Sequence, residues 1–175
     1  ALPLSLALSG PAAGVAAGHQ IALDAEAPLA ISLDMGGTTT DVCLIVDGRP
    51  DVHEQGEVGP WKVNLPMLAV HSIGAGGGSL VSHGAAGLQV GPESAGSNPG
   101  PACYGRGGNR PTLTDAAVIL GYLRPPEDAD SGVEIDKEAA EKAYEGLSRQ
   151  LDIPTVRAAR RTARRRRRSR RRAST

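Results

Sequence analysis

Between two apolar runs the chain places DMGGTTTD, residues 34–41, in which an acid is followed by two glycines and three threonines. Glycine backbone can come close to an oxyanion, backbone N–H groups and threonine hydroxyls can donate to phosphate oxygens, and the Asp34 carboxylate can orient a hydrated magnesium ion. The same stretch also makes a plain hairpin, with Gly36 and Gly37 in a tight turn and the threonines favouring strand. It matches neither the Walker pattern nor the Rossmann fingerprint, so alone it reads as the hairpin. A second cluster changes that balance. HSIGAGGGS carries Gly74, Gly76, Gly77 and Gly78 within five positions, closed by Ile73 and Leu80 instead of the polar residues of a surface linker. Two such loops, each anchored by an apolar strand, fit a nucleotide better than chance hairpins.

The elements that must position these turns follow from periodicity. Pro11 stands where a first helical residue would, after Ser9 and Gly10, and a helix from about Pro11 to Leu23 is expected. Leu29, Ile31, Leu33 and Met35 alternate with Ala30, Ser32 and Asp34, the pattern of a strand with its apolar face on the core. DVCLIV, apolar on both faces, reads as a more deeply buried strand. One or two short strands are expected between Asp51 and Val70, broken by Pro60 and Pro66. GAGGGS reads as a flexible loop, and LVSHGAAGLQVG as a hairpin turning at Gly84 and Gly87. A Gly- and Pro-rich loop spans Gly91 to Pro111. A helix capped by Thr114 comes next, then a PPEDADSG linker, then a helix capped by Asp136 whose face is Ala140, Ala143, Tyr144, Leu147 and Leu151.

Composition narrows the classes. A chain of 175 residues suits one domain or part of one, and its first residue, Ala1, suggests a start inside a longer protein. The apolar start ALPLSLALSGPAAG has no Lys or Arg before it and reads as the interior of a cytosolic chain. No run approaches the roughly 20 apolar residues of a membrane-spanning helix. Cys43 and Cys103 show no metal or disulfide spacing and are expected as buried, inert thiols. With no Phe, one Trp and three Tyr, the core must be aliphatic. The net charge of zero conceals an asymmetry: the body holds eight basic against 19 acidic residues, net −11, and the stretch from Arg157 to Arg172 holds 11 arginines.

Four segments, LSGPAAG, DMGGTTTDV, HSIGAGGGS and VGPESAGSNPGPACYGRGGNRPTLTDAAVILGYL, together resemble the hydantoinase A/5-oxoprolinase family. Its members include ATP-dependent cyclic-amide hydrolases and subunits of acetone-type carboxylases. The resemblance implies an α/β class with a mixed sheet and flanking helices, one lobe of an actin-like ATPase fold shared with sugar kinases and heat-shock chaperones. It implies ATP and Mg²⁺ as cofactors. By resemblance Asp34 orients the metal or a water, Gly36, Gly37, Thr38, Thr39 and Thr40 hold phosphate oxygens, and Gly74, Gly76, Gly77, Gly78 and Ser79 lie beside the nucleotide. It also gives His71 a place in the family motif, where it touches substrate or metal or serves as a hydrogen-bonded structural residue. Full members are several times longer, so residues 1–152 are expected to be a partial ATPase domain, its second lobe, working in the cytoplasm. Its partners would be the missing first lobe and a hydantoinase B-type subunit or domain.

Residues 153–175 read as a low-complexity arginine tail, disordered or translated out of frame. The out-of-frame reading is preferred to a basic arm because the run begins abruptly and has no interleaved aromatic residues, so nucleic acid is not expected as a partner. Glu93 and Ser94 are expected to cap a turn.

Overall fold

The computed structural model describes residues 9–58, 61–64, 66–124 and 134–172. The PPEDADSG linker, Pro60 and the first eight residues lie outside these. The chain forms two compact units, Ala1–Ile73 and Gly74–Thr175. Both mix helix with antiparallel sheet, in keeping with the expected α/β class.

In the first unit helix α1 (Ser9–Asp24) precedes β1 (Ala30–Met35) and β2 (Thr40–Val46), which pair antiparallel from Ala30↔Ile45 to Met35↔Thr40. The far side of β2 takes β3 (Arg49–Pro50) and β8 (His71–Ile73). Short strands β4 (Val52–His53), β5 (Gly56–Val58), β6 (Trp61–Val63) and β7 (Met67–Leu68) form two further pairs, β4 with β7 and β5 with β6, more strand than the sequence suggests. The alternation expected of β1 is present, but its apolar face points away from the core. Leu29, Ile31 and Leu33 are 70, 65 and 42% exposed, whereas Ser32 is buried. Helix α1 takes the opposite, small-residue face. A methyl group on Gly18 would come within 2.7 Å of Ser32 Oγ, and one on Gly14 within 2.6 Å of Asp34 Oδ2. Two glycines one turn apart thus let the helix lie directly against β1. On the same side β2 buries Cys43 and Ile45, while Leu44 and Val46 on its other face stay open.

The second unit opens on the expected hairpin, β9 (Ser79–Gly84) and β10 (Gly87–Ser94), closed at Gly84↔Gly87 with Gly87 at φ +85°. A 3₁₀ turn, Ala102–Tyr104, leads to α2 (Leu113–Ile119), α3 (Lys137–Leu151) and α4 (Thr155–Arg172). Asp136 caps α3 as expected, accepting from the Ala139 N–H at 2.9 Å. The cap of α2 is Thr112 and not Thr114. Thr112 and Asp115 form a reciprocal capping box, and the Thr114 N–H is used elsewhere, donating to Gly77 O at 2.8 Å.

Asp115 is the polar centre of this unit. It is fully buried, and its oxygens accept from the Cys103 N–H at 2.8 Å, the Thr112 N–H at 2.9 Å and the Thr112 hydroxyl at 2.7 Å. The Tyr144 hydroxyl donates to Thr112 O at 2.9 Å, which ties α3 to the same point. Around it pack Val81, Leu88, Cys103, Ala116, Val118, Ile119, Ala140, Tyr144 and Leu147.

Helix α4 begins where the sequence suggests a free tail. Ala158, Ala159 and Thr162, spaced i, i+1, i+4, are fully buried in the core of the unit, so its first turns are part of the fold. Among the described residues no helix is long and apolar enough to cross a membrane.

Both cysteines are free and buried, as expected. Burial pushes both thiols up, and the Asp115 charge pushes Cys103 further. A thiolate is the reactive species, so the native chain at pH 8 is expected to react with a disulfide reagent only on the unfolding timescale. Two thiols should appear at once in denaturant. A fast native thiol would show that one of these sites opens.

Candidate phosphate-binding turns

The DMGGTTTD stretch is the β1–β2 hairpin. Met35 pairs with Thr40, and the four residues between them form an exposed turn closed by the Gly36 N–H on Thr39 O at 3.0 Å. Gly36 and Gly37 lie outside the left-handed region, so the turn's backbone does not require glycine there. Nor does the interior. A methyl group on Gly37 would meet no atom within 4 Å, and one on Gly36 only Thr39 O at 3.7 Å. The space their missing Cβ atoms leave open therefore faces outward, toward solvent. Thr38 and Thr39 are exposed beside it, and Thr40 is buried at the base of the turn.

The register sets a row of polar groups across three strands. Asp34 stands opposite Asp41 on β2, and Asp41 stands opposite Ser72 on β8. Directly opposed residues share a sheet face. Ser72 Oγ donates to Asp41 Oδ1 at 2.5 Å. Two carboxylates facing each other across a strand pair repel unless a cation neutralises them, and Mg²⁺ is commonly held by one or two carboxylates plus phosphate oxygens and water. The residues present thus fit a phosphate-bound magnesium ion. Among the described residues no group of three or more His, Cys, Asp and Glu side chains could hold a metal without such a ligand.

His71 does not join this row. It stands opposite Val42, one position on from the Asp41↔Ser72 pair, and the strand pleat turns it to the other face, in line with Leu33. The sequence pairs Asp34 with His71, and the sheet separates them. Asp41 and Ser72, which reading by sequence passes over, take the place beside Asp34. The signal for Asp41 is the second acid of DMGGTTTD, which a hairpin with a four-residue turn brings opposite the first.

The second glycine cluster lies in the second unit and is not loose. Gly76 O accepts from the Ser79 N–H at 3.1 Å, and the Gly76 N–H donates to Ser79 Oγ at 2.9 Å. Gly77 O accepts from the start of α2, and Gly78 O accepts from the Ala95 N–H at 2.8 Å. Gly91, at φ +66°, allows the close approach of Gly74 O, 2.9 Å from where a Cβ would be. The flexible loop expected here is instead a pinned turn, because its carbonyls find partners on two neighbouring elements. Ser79 is fully buried with its hydroxyl engaged inside the loop, while Gly74 is exposed.

The remaining candidates have structural roles. Glu93 meets Arg110 in a two-pronged ion pair at 2.5 and 2.9 Å in place of the expected turn cap, and the guanidinium holds the Glu93 carboxyl below the usual range. Both groups are exposed, so the pair adds little to stability. Ser94 Oγ does accept from the Gly96 N–H, at 3.1 Å.

Known proteins supply the context for these turns. A family model described as hydantoinase/oxoprolinase matches residues 1–166. The alpha subunit of caprolactamase from Pseudomonas jessenii is 40% identical over 153 residues, 86% of this chain and 22% of that one. The gamma subunit of acetophenone carboxylase from Aromatoleum aromaticum is 39% identical over 160 residues, 86% and 21%. The crystal structure of ATP-dependent caprolactamase from Pseudomonas jessenii superposes with a TM-score of 0.72 at 39% identity, covering 86% of this chain and 22% of that one. The chain thus spans about a fifth of the length of these relatives.

Proposed function

The chain belongs to the hydantoinase/oxoprolinase family, and from that premise we propose that it is part of an ATP-dependent enzyme that opens a cyclic amide of the hydantoin or 5-oxoproline type. The observation that carries the reading is the outward-facing space at Gly36 and Gly37, which neither backbone conformation nor internal packing explains. With the Gly36 N–H closing the turn on Thr39 O, the backbone N–H groups of Gly37 to Thr39 and the exposed Thr38 and Thr39 hydroxyls are the donors for phosphate oxygens, Gly36 leaves room for their approach, and Thr40 anchors the turn from below. Asp34 and Asp41 would hold the magnesium ion together with phosphate oxygens and water, with Ser72 fixing the Asp41 carboxylate. Gly14 brings α1 against Asp34 and so limits where that carboxylate can point. ATP, when bound, would supply the γ-phosphoryl group to the amide carbonyl oxygen, with ADP leaving, and so make that oxygen a leaving group once the ring carbon is attacked. By the family resemblance the pinned Gly74–Ser79 turn also serves the nucleotide; within its own unit Gly74 is exposed and Ser79 is its internal brace. His71, on the other sheet face, contributes to substrate binding or structure and not to the metal.

In this reading residues 1–152 are the second lobe of an actin-like ATPase, and the first lobe and a hydantoinase B-type subunit or domain complete the site in the cytoplasm. Catalysis by positioning between lobes then needs those parts. Equal likeness to a carboxylase subunit supports a second reading, an ATP-using subunit of an acetone-type carboxylase.

Calorimetry of ATP binding to the full chain, with magnesium and with a chelator, tests the site. Saturable binding that needs magnesium and weakens at least about tenfold in Asp34→Asn is expected. Binding that is indifferent to both changes, or none by a folded chain, would overturn it.

A further inference from the structure

Helix α4 has two unlike sides. Ala158, Ala159 and Thr162 hold it in the core of its unit, and Thr162 Oγ1 donates back to Ala158 O at 3.1 Å. On the other side Arg157, Arg160, Arg161 and Arg164 are all exposed and together line one shallow cavity of about 170 Å³. Their spacing, i, i+3, i+4 and i+7, makes a single row along the helix. No acidic residue follows Asp152 in the chain. Among the described residues the ion pairs are Arg110–Glu93 and Lys137–Glu141, so none of the four guanidinium groups has a carboxylate partner. Four like charges within two turns oppose helix formation, and the packed inner face keeps them in line.

We propose that this face of α4 binds the phosphate backbone of duplex nucleic acid without reading its sequence. Seven residues of helix span about 10 Å at ~1.5 Å per residue, the reach of about three successive phosphates on one strand. Guanidinium forks suit phosphate oxygens, and their fixed presentation on a packed helix lowers the ordering penalty that a free arm would meet. Residues 155–175 contain no aromatic side chain, so stacking on single-stranded bases is not available to this helix. A membrane surface fits less well, because a surface-lying helix inserts an apolar face and the alanines of α4 are in the core. The helical backbone continues to Arg172, and seven of the eight residues from 165 to 172 are arginine. The assignment is independent of both candidate nucleotide turns.

Fluorescence anisotropy of the full chain with a labelled duplex DNA of about 20 base pairs tests this. Affinity should fall at least about 100-fold between 50 and 200 mM salt and vary little between unrelated sequences. Replacing Arg157, Arg160, Arg161 and Arg164 together by Gln should lower the log–log salt slope by about 3, and replacing them by Lys should leave it within about 1. If the Gln variant loses helicity by circular dichroism, Arg160→Gln and Arg164→Gln singly should each lower the slope by about 1. An unchanged slope in a folded Gln variant, absence of binding at 50 mM salt, or displacement of the DNA by phosphatidylserine vesicles would overturn the proposal.

Discussion

Gly37→Val is expected to abolish saturable Mg–ATP binding while leaving the thermal melt of the chain nearly unchanged. The added Cβ meets no atom of the protein within 4 Å, and the residue's φ lies outside the left-handed region, so folding has little to lose. An exposed substitution of this kind falls within about 1 kcal/mol. The ligand, in contrast, must approach the bare backbone of the turn, and three added carbons occupy that approach. A loss of at least about 100-fold in affinity follows if two or more phosphate contacts go with it, at about 1.5–3 kcal/mol for each charge-assisted hydrogen bond. Calorimetry and a melting curve on one preparation read both quantities. Retained binding would return the stretch to a plain hairpin, and lost binding with a collapsed melt would make Gly37 structural.

Asp115→Ala is expected to destabilise the second unit by about 3–5 kcal/mol, a drop in melting temperature of about 15 °C or more. The buried carboxylate accepts three hydrogen bonds, two from backbone N–H groups that no other acceptor can reach without movement of α2 or of the 3₁₀ turn. Its removal also undoes the α2 capping box and leaves Thr112, the acceptor of the Tyr144 hydroxyl, unbraced. Asp115→Asn should recover part of the loss, because one amide oxygen still accepts. A melt within about 1 kcal/mol of the original would show that Thr112 and Tyr144 hold the junction without it.

What the sequence made legible were the elements whose signal is local. The α3 face and its Asp136 cap, the Gly84–Gly87 hairpin and the two strands flanking DMGGTTTD all follow from spacing within a dozen residues. The side that β1 buries did not follow. Gly14 and Gly18 attract the sheet through what they lack, and hydropathy does not register a missing side chain. The α2 cap moved from Thr114 to Thr112 because Asp115 also serves Cys103, a partner 12 positions away. In α4 three small residues face inward among arginines, too few to stand out from the composition. The site divides in the same way. Its turn is written in consecutive residues. The opposition of Asp41 to Ser72 and the turning away of His71 depend on a register between strands 31 residues apart.

The outward apolar face of the first unit also sets how this polypeptide behaves in a test tube. Leu29, just before β1, and Ile31, Leu33, Leu44 and Val46 on the paired strands lie open, and among the described residues β1 pairs on one edge only. A bare sheet edge beside an oily surface is a template for another copy of itself. Dilution, added salt and fusion partners therefore become variables of the folded state and not only of handling. The soluble lifetime of the isolated chain is governed by the outer face of the same hairpin that carries the Gly36–Thr39 turn.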